Sequence, residues 1–262
     1  MSTRTVIRVG VTLWPQHTSM RDYSRAWQRA EALGVDSIWV WDHFFPLSGD
    51  PEGRHFEGWT VLAALGAQTT RAQIGNLVLS MSYRNPALLS AMAKTLDHIV
   101  GGRLVLGLGA GWFERDYQEY GYEFGTAGDR LRNLERGIEI IRERWAKDSP
   151  KPVRGTVPIL IGGGGEKVTL RITAQYADLW NGGGDAETYR RKNAILDEWC
   201  AKVGRDPAEI ERTKSVDAPE LDHLDDLVAA GATHLIYRLG HPFDLAPVER
   251  LLAYRDERNR RR

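Results

Sequence analysis

Gly34-Val35-Asp36-Ser37-Ile38-Trp39-Val40-Trp41-Asp42-His43 is an apolar, β-rich run that stops abruptly at an acid and an imidazole. The run reads as a strand because β-branched and aromatic side chains suit a buried pleated surface. It follows a helical pattern, Tyr23, Trp27, Ala30 and Leu33, for which Gly34 is the stop signal. In parallel α/β proteins the C-terminal ends of strands face the chemistry. Asp42 and His43 occupy that place, and an imidazole, titrating near ~6.5, exchanges protons at physiological pH. The plainer reading is a histidine packed in a loop, with Asp42 capping the next turn.

Outward from this segment the pattern alternates strand and helix. Strand-like runs are 6–13, 35–41, 72–80, 103–109, 157–161, 178–181, 210–216 and 233–239. Between and after them lie helical patterns from Pro86, from Asp129, and over 166–176, 185–203, 221–230 and 244–254. Eight strands in this order predict a single (β/α)8 TIM barrel spanning residues 1–262, a fold that takes ~250 residues. The alternative, a doubly wound open sheet, needs about five or six strands.

Composition narrows the partners. Lys plus Arg number 35 and Asp plus Glu 35, so no global field draws nucleic acid or an anionic membrane. The basic end (Arg255, Arg258, Arg260, Arg261, Arg262) is a solvated helix tail or an anion or partner contact. Cys200 is the only cysteine, which rules out an intrachain disulfide and a cysteine metal cluster. Met1-Ser2-Thr3-Arg4 passes directly into a strand-like run without a leader pattern, and no apolar stretch reaches the ~20 residues of a membrane span. A cytoplasmic protein acting on a small molecule is the expectation.

Four constellations can carry chemistry besides the bland roles they also fit. The first is Asp42-His43. The second is Ile161-Gly162-Gly163-Gly164-Gly165-Glu166, a strand that runs through four glycines into a helix. Such a turn can aim backbone N–H groups at a phosphate, or simply be a flexible connection. The third, Gly107-Leu108-Gly109-Ala110-Gly111-Trp112, superficially matches a dinucleotide fingerprint, but ends the fourth strand rather than the first. Close approach of a planar ligand to the backbone explains these glycines better. The fourth is a pair of aromatic loops, Phe44 to Trp59 and Trp112 to Phe124, divided between a pocket lid and a satellite core. His98, His223, His234 and His241 read as structural and His17 as a possible site-facing residue. Leu13-Trp14-Pro15-Gln16-His17 lacks the His-x-His of a metal-dependent barrel hydrolase, and no metal is expected.

Trp41-Asp42-His43-Phe44, Tyr83-Arg84-Asn85-Pro86, the run from Gly101 to Trp112, and Ile161 to Glu166 together resemble the luciferase-like monooxygenase superfamily. Within it, the chain resembles the branch that uses the deazaflavin coenzyme F420. The resemblance spans nearly the whole chain, and its motifs are less specific between deazaflavin and FMN. It implies that Asp42 contacts the coenzyme ring, that His43 is the acid/base beside the reactive carbon, and that Ser80 touches the ring. Leu77–Val78 aligns with a non-prolyl cis peptide that forms a bulge behind the deazaflavin. Ala110 and Gly111 would approach the ring edge, and Gly163, Gly164 and Gly165 would hold the coenzyme's phosphate. Barrels of this family often form dimers, so a homodimer is a further expectation.

Two departures limit what carries over. In the sugar-phosphate dehydrogenases of this branch a glutamate stands in the place of Trp112 as a second acid/base; its absence argues against that sugar chemistry. The stretch from Ala146 to Thr156 is also short, so the pocket is expected to be more open. The expected activity is hydride transfer between the deazaflavin C5 and a small organic substrate, with His43 as the single proton carrier. An FMN-dependent monooxygenase and a non-catalytic ligand-binding barrel are the alternatives.

Overall fold

In a computed structural model, which describes residues 6–261, β1 (Arg8–Leu13) pairs in parallel with β2 (Ser37–Val40) on one side and β9 (His234–Leu239) on the other. Met1–Arg4 and Arg262, on which two expectations rest, lie outside the described residues. From β2 the sheet continues to β3 (Gln73–Asn76). From β9 it passes through β8 (Glu211–Val216), β7 (Leu179–Gly182) and β6 (Ile159–Gly162) to β5 (Leu104–Gly109). Pairing of β3 with β5 closes the ring, which excludes the open sheet. A short β4 (Leu79–Ser80) resumes the third strand, so the ring is an eight-stranded parallel TIM barrel.

The break in the third strand is a bulge. Gly75 pairs with Val105 and Leu79 with Leu108, so four steps on one strand face three on the other. The peptide Leu77–Val78 within it is cis. Around it the fifth and sixth strands carry glycine for a reason internal to the chain. A Cβ on Gly109 would lie 2.7 Å from Val78 Cγ2, and one on Gly162 would lie 2.8 Å from Val78 Cγ1. At Gly107 a Cβ would collide with the Asn76 carbonyl. Gly107 and Gly109 thus make room for the bulge, a task beyond the approach of a planar ligand; Gly109 also lines the groove at the barrel mouth.

Inside the ring Trp39, Val105, Leu160, Leu179 and Ile236 form a sealed layer with Leu77 and Val78 packed against it. Gly75, the register partner of Trp39, leaves space for the indole. His234 is buried in the ring, its Nε2 2.8 Å from Ser37 Oγ, and is structural as expected.

The helices α1 (Met20–Leu33), α3 (Pro86–Ile99), α5 (Ala127–Lys147), α6 (Thr169–Tyr176), α7 (Ala186–Val203), α8 (Leu224–Ala229) and α9 (Ala246–Arg260) follow the expected pattern, with ends displaced by a few residues. Their caps explain the ends: Ser19 accepts from Asp22 N, Gly34 is left-handed with φ 95°, and Thr126 and Asp129 form a capping box. Two helices fall in stretches read as loops, α2 (Gly58–Gly66) and α4 (Glu114–Tyr120). In α2 Trp59, Val61, Leu62 and Leu65 are all buried, so no polar stripe reveals its period. Among the described residues no helix is long and apolar enough to cross a membrane. The basic end is not simply a solvated tail. Arg255 donates to Gly34 O at 3.0 Å and to Asp36 Oδ2 at 2.9 Å, fastening α9 to the entry of β2.

Candidate active site

Asp42 and His43 leave the C-terminal end of β2 and are 1 % and 9 % exposed. They line one cleft of about 240 Å³ with Leu77, Val78, Ser80 and Gly111. A second lobe of about 370 Å³ shares Leu77, Val78, Gly111 and Trp112 and extends to Ala110, Gly163 and Thr169. The structure therefore gathers the expected residues along a single groove at the barrel mouth. Gly164 and Gly165 lie just past its lining.

His43 has the carboxylate partner that the tryptophan at position 112 seemed to deny it. Its Nδ1 lies 2.7 Å from Oδ2 of Asp116, a fully buried residue of α4. A carboxylate only accepts, so Nδ1 donates and Nε2 is the ring nitrogen left for the cleft. Asp116 is held in turn by Phe44 N at 3.1 Å and by the Tyr83 hydroxyl, which donates to it at 2.9 Å. Burial, together with Asp116, keeps the Tyr83 phenol protonated far above its ordinary range. Tyr83 also lines the cleft. The expected lone histidine is thus a buried Tyr–Asp–His chain, with Trp112 edge-on to the imidazole at 5.7 Å.

Asp42 is tied to the chain on both oxygens. Arg84 donates to Oδ2 at 2.7 Å and to Oδ1 at 2.8 Å, and Ser80 N donates to Oδ2 at 3.2 Å. Glu57 lies 2.5 Å from the same guanidinium. Every residue of Tyr83-Arg84-Asn85-Pro86 therefore has a role: Tyr83 holds Asp116, Arg84 holds Asp42, Asn85 caps α3 and Pro86 begins it. Ser80 Oγ lies 2.9 Å from Tyr117 Oη, which also donates to Ala110 O at 3.3 Å. Gly111, at φ 84°, leaves space for that phenol.

The rings of the aromatic loops pack mostly on one another, with Trp59 and Tyr117 buried and Trp112 and Tyr120 exposed. Phe44 stacks on Tyr120 at 4.0 Å, and Tyr83 on Tyr122 at 5.2 Å. The groove itself meets Trp14, Trp41, Tyr83 and Trp112. His17 donates from Nε2 to Ser48 O at 2.7 Å and does not reach the groove. His55 accepts from Trp41 Nε1 at 3.0 Å, and burial, with His43 nearby, draws its pKa from 6.5 down to about 4.

That shift fixes a pH dependence. Unfolded, the His55 ring takes a proton near 6.5, whereas the folded protein keeps it neutral down to about 4. The unfolded state binds the extra proton across that window, so stability falls as pH drops through it. His55→Gln should flatten the fall, as read by urea denaturation between about pH 4.5 and about pH 7. Identical slopes for both proteins would refute the assignment.

Comparison with known proteins places the chain among its relatives. Residues 1–218 match the family model described as luciferase-like monooxygenase. The chain belongs to the luciferase-like monooxygenase family. Among its relatives, an F420-dependent glucose-6-phosphate dehydrogenase of Amycolatopsis mediterranei is 33% identical over 147 residues, 55% of this chain and 43% of that one. The chain thus spans under half the length of that relative. An uncharacterized protein of Mycobacterium tuberculosis is 30% identical over 251 residues, covering 83% of this chain and 85% of the relative. The fold superposes on an F420-dependent secondary alcohol dehydrogenase solved with an F420-acetone adduct. The TM-score is 0.82 at 17% identity, over 92% of this chain and 96% of that one.

For this luciferase-like family member, Asp116, Tyr83 and Arg84 were not expected as site residues, whereas Tyr117 belongs to the aromatic stretch after the fourth strand. A signal existed for Tyr83 and Arg84, which share the Tyr83-Arg84-Asn85-Pro86 motif. Asp116 stands among the charged residues of Glu114-Arg115-Asp116, where an acid ordinarily faces water.

Proposed function

We propose that this chain is a coenzyme F420-dependent oxidoreductase that moves hydride between the deazaflavin C5 and a small organic substrate. The observation that carries the reading is the free Nε2 of a carboxylate-anchored His43, set in a groove that runs past the Leu77–Val78 bulge toward the glycine turn. The residues fit a flat, phosphate-bearing ring. Leu77 and Val78 offer an apolar platform, Ser80 and the Ala110–Gly111 backbone a polar edge, and the turn after β6 a set of N–H donors. The names of the dehydrogenase relatives support the same coenzyme.

When bound, the coenzyme supplies the hydride chemistry. The chain's own residues do the rest. His43 takes or gives the accompanying proton at Nε2, while Asp116 fixes the tautomer and the ring's direction. Asp42 acts through Ser80 and Arg84, holding the strand end against which the ring would lie. The indoles of Trp14 and Trp41 give the groove apolar walls, and Trp112, 63% exposed, stands at its rim.

Titration of the purified protein with oxidised F420, reduced F420 and FMN, followed by fluorescence, tests this directly. Saturable F420 binding is the expected result. Binding of FMN alone replaces the reading with an FMN-dependent monooxygenase, as the family's description allows. Binding of neither leaves a non-catalytic barrel.

A further inference from the structure

Beside the turn that follows β6 stands a cation of α7 with no partner among the described residues. Gly163 is fixed at both ends: its N–H donates to Asn181 O at 3.1 Å, and its carbonyl accepts from Trp180 Nε1 at 2.8 Å. The next two amides, of Gly164 and Gly165, have no acceptor among the described residues. Against them leans Lys192 of α7. A Cβ on Gly164 would collide with Lys192 Nζ and would lie 3.1 Å from its Cδ and Cε. The ammonium makes no ion pair or hydrogen bond among the described residues, although its neighbour Arg191 pairs with Glu166 on the same turn. Thr169, 8% exposed, brings its hydroxyl to 2.8 Å from where a Cβ of Gly165 would stand.

The ammonium therefore stands against the backbone of Gly164, beside two amides without an acceptor, and the one acid on the turn is already paired with Arg191. Donors gathered without an acceptor define an anion's place, and a lysine serves a phosphate as a point charge. A side chain at Gly164 would fill the gap between the lysine and the backbone. We infer that Lys192 is a binding residue for the phosphate of the bound coenzyme, closing from α7 over the amides of Gly164 and Gly165. This rests on the coenzyme reading above and adds to it a residue that no glycine motif contains.

The test compares two ligands on two proteins. Lys192→Met keeps the apolar stem and removes the charge. Dissociation constants are read by deazaflavin fluorescence for F420 and for the deazaflavin riboside that lacks the phosphate arm. The variant should bind F420 about ten- to a hundredfold more weakly and bind the riboside like the parent, with Lys192→Arg recovering most of the loss. Unchanged F420 affinity in Lys192→Met, or an equal loss for both ligands, overturns the lysine's role while leaving the coenzyme reading standing. Failure of the parent itself to bind F420 overturns that reading and this inference together.

Discussion

His43→Ala is expected to lower turnover by about 10²–10⁴-fold while F420 affinity stays within a few-fold of the parent. The size follows from the histidine being the titratable group with a free nitrogen in the groove. Asp42 is engaged on both oxygens, and Asp116 is sealed beneath the ring. The fold should tolerate the change, because Asp116 keeps two donors, Phe44 N and the Tyr83 hydroxyl. His43→Asn sharpens the test: its amide can stand where Nδ1 stands and donate to Asp116, yet it carries no titratable nitrogen. It should be as inactive as the alanine variant. Asp116→Asn should cost less, about ten- to a hundredfold in kcat with KM little changed, since it loosens the ring's tautomer without removing the base. Normal turnover by His43→Ala in steady-state assays would end the acid/base assignment. Equal KM and kcat losses in Asp116→Asn would make that residue part of substrate binding instead.

The barrel was legible because its strands are apolar runs that end at polar or glycine residues, and because eight of them alternate with helical periods. The site was legible where it is local in sequence. Asp42-His43 sits at a strand end, and the glycine turn announces a backbone close to something. What escaped are the contacts assembled from distant segments. Asp116 is recognisable as a partner only when β2, the Tyr83 segment and α4 are brought together, since its donors come from residues 43, 44 and 83. Lys192 is likewise one of three successive basic residues on a helix, and only the glycine opposite distinguishes it from Arg190 and Arg191. The glycines of β5 were only half legible. A glycine reports that something approaches, not what, and at Gly107 and Gly109 the chain's own bulge is one such neighbour.

Arg84→Ala should destabilise the protein by about 3 kcal/mol or more, lowering the midpoint of thermal unfolding by several degrees. The side chain of Asp42 is 0% exposed and that of Arg84 only 11%. Removing the guanidinium leaves a buried carboxylate with one remaining donor, Ser80 N at 3.2 Å, and also frees Glu57. An exposed pair would contribute far less, and this contrast is what makes the experiment decisive. Arg84→Lys keeps the charge but cannot donate to both Asp42 oxygens in a fork, so it should fall between parent and alanine. The double variant Asp42→Asn/Arg84→Met removes both charges together. It should be more stable than Arg84→Ala, because no carboxylate is then left stranded. Yet it should still bind F420 poorly, since the two-bond fork from Arg84 that fixes residue 42 is gone, although an asparagine oxygen still accepts from Ser80 N. A midpoint for Arg84→Ala within a degree of the parent would show that the pair is solvated from the groove. Recovery of coenzyme affinity along with stability would instead show that Asp42 serves the coenzyme's place without the Arg84 fork.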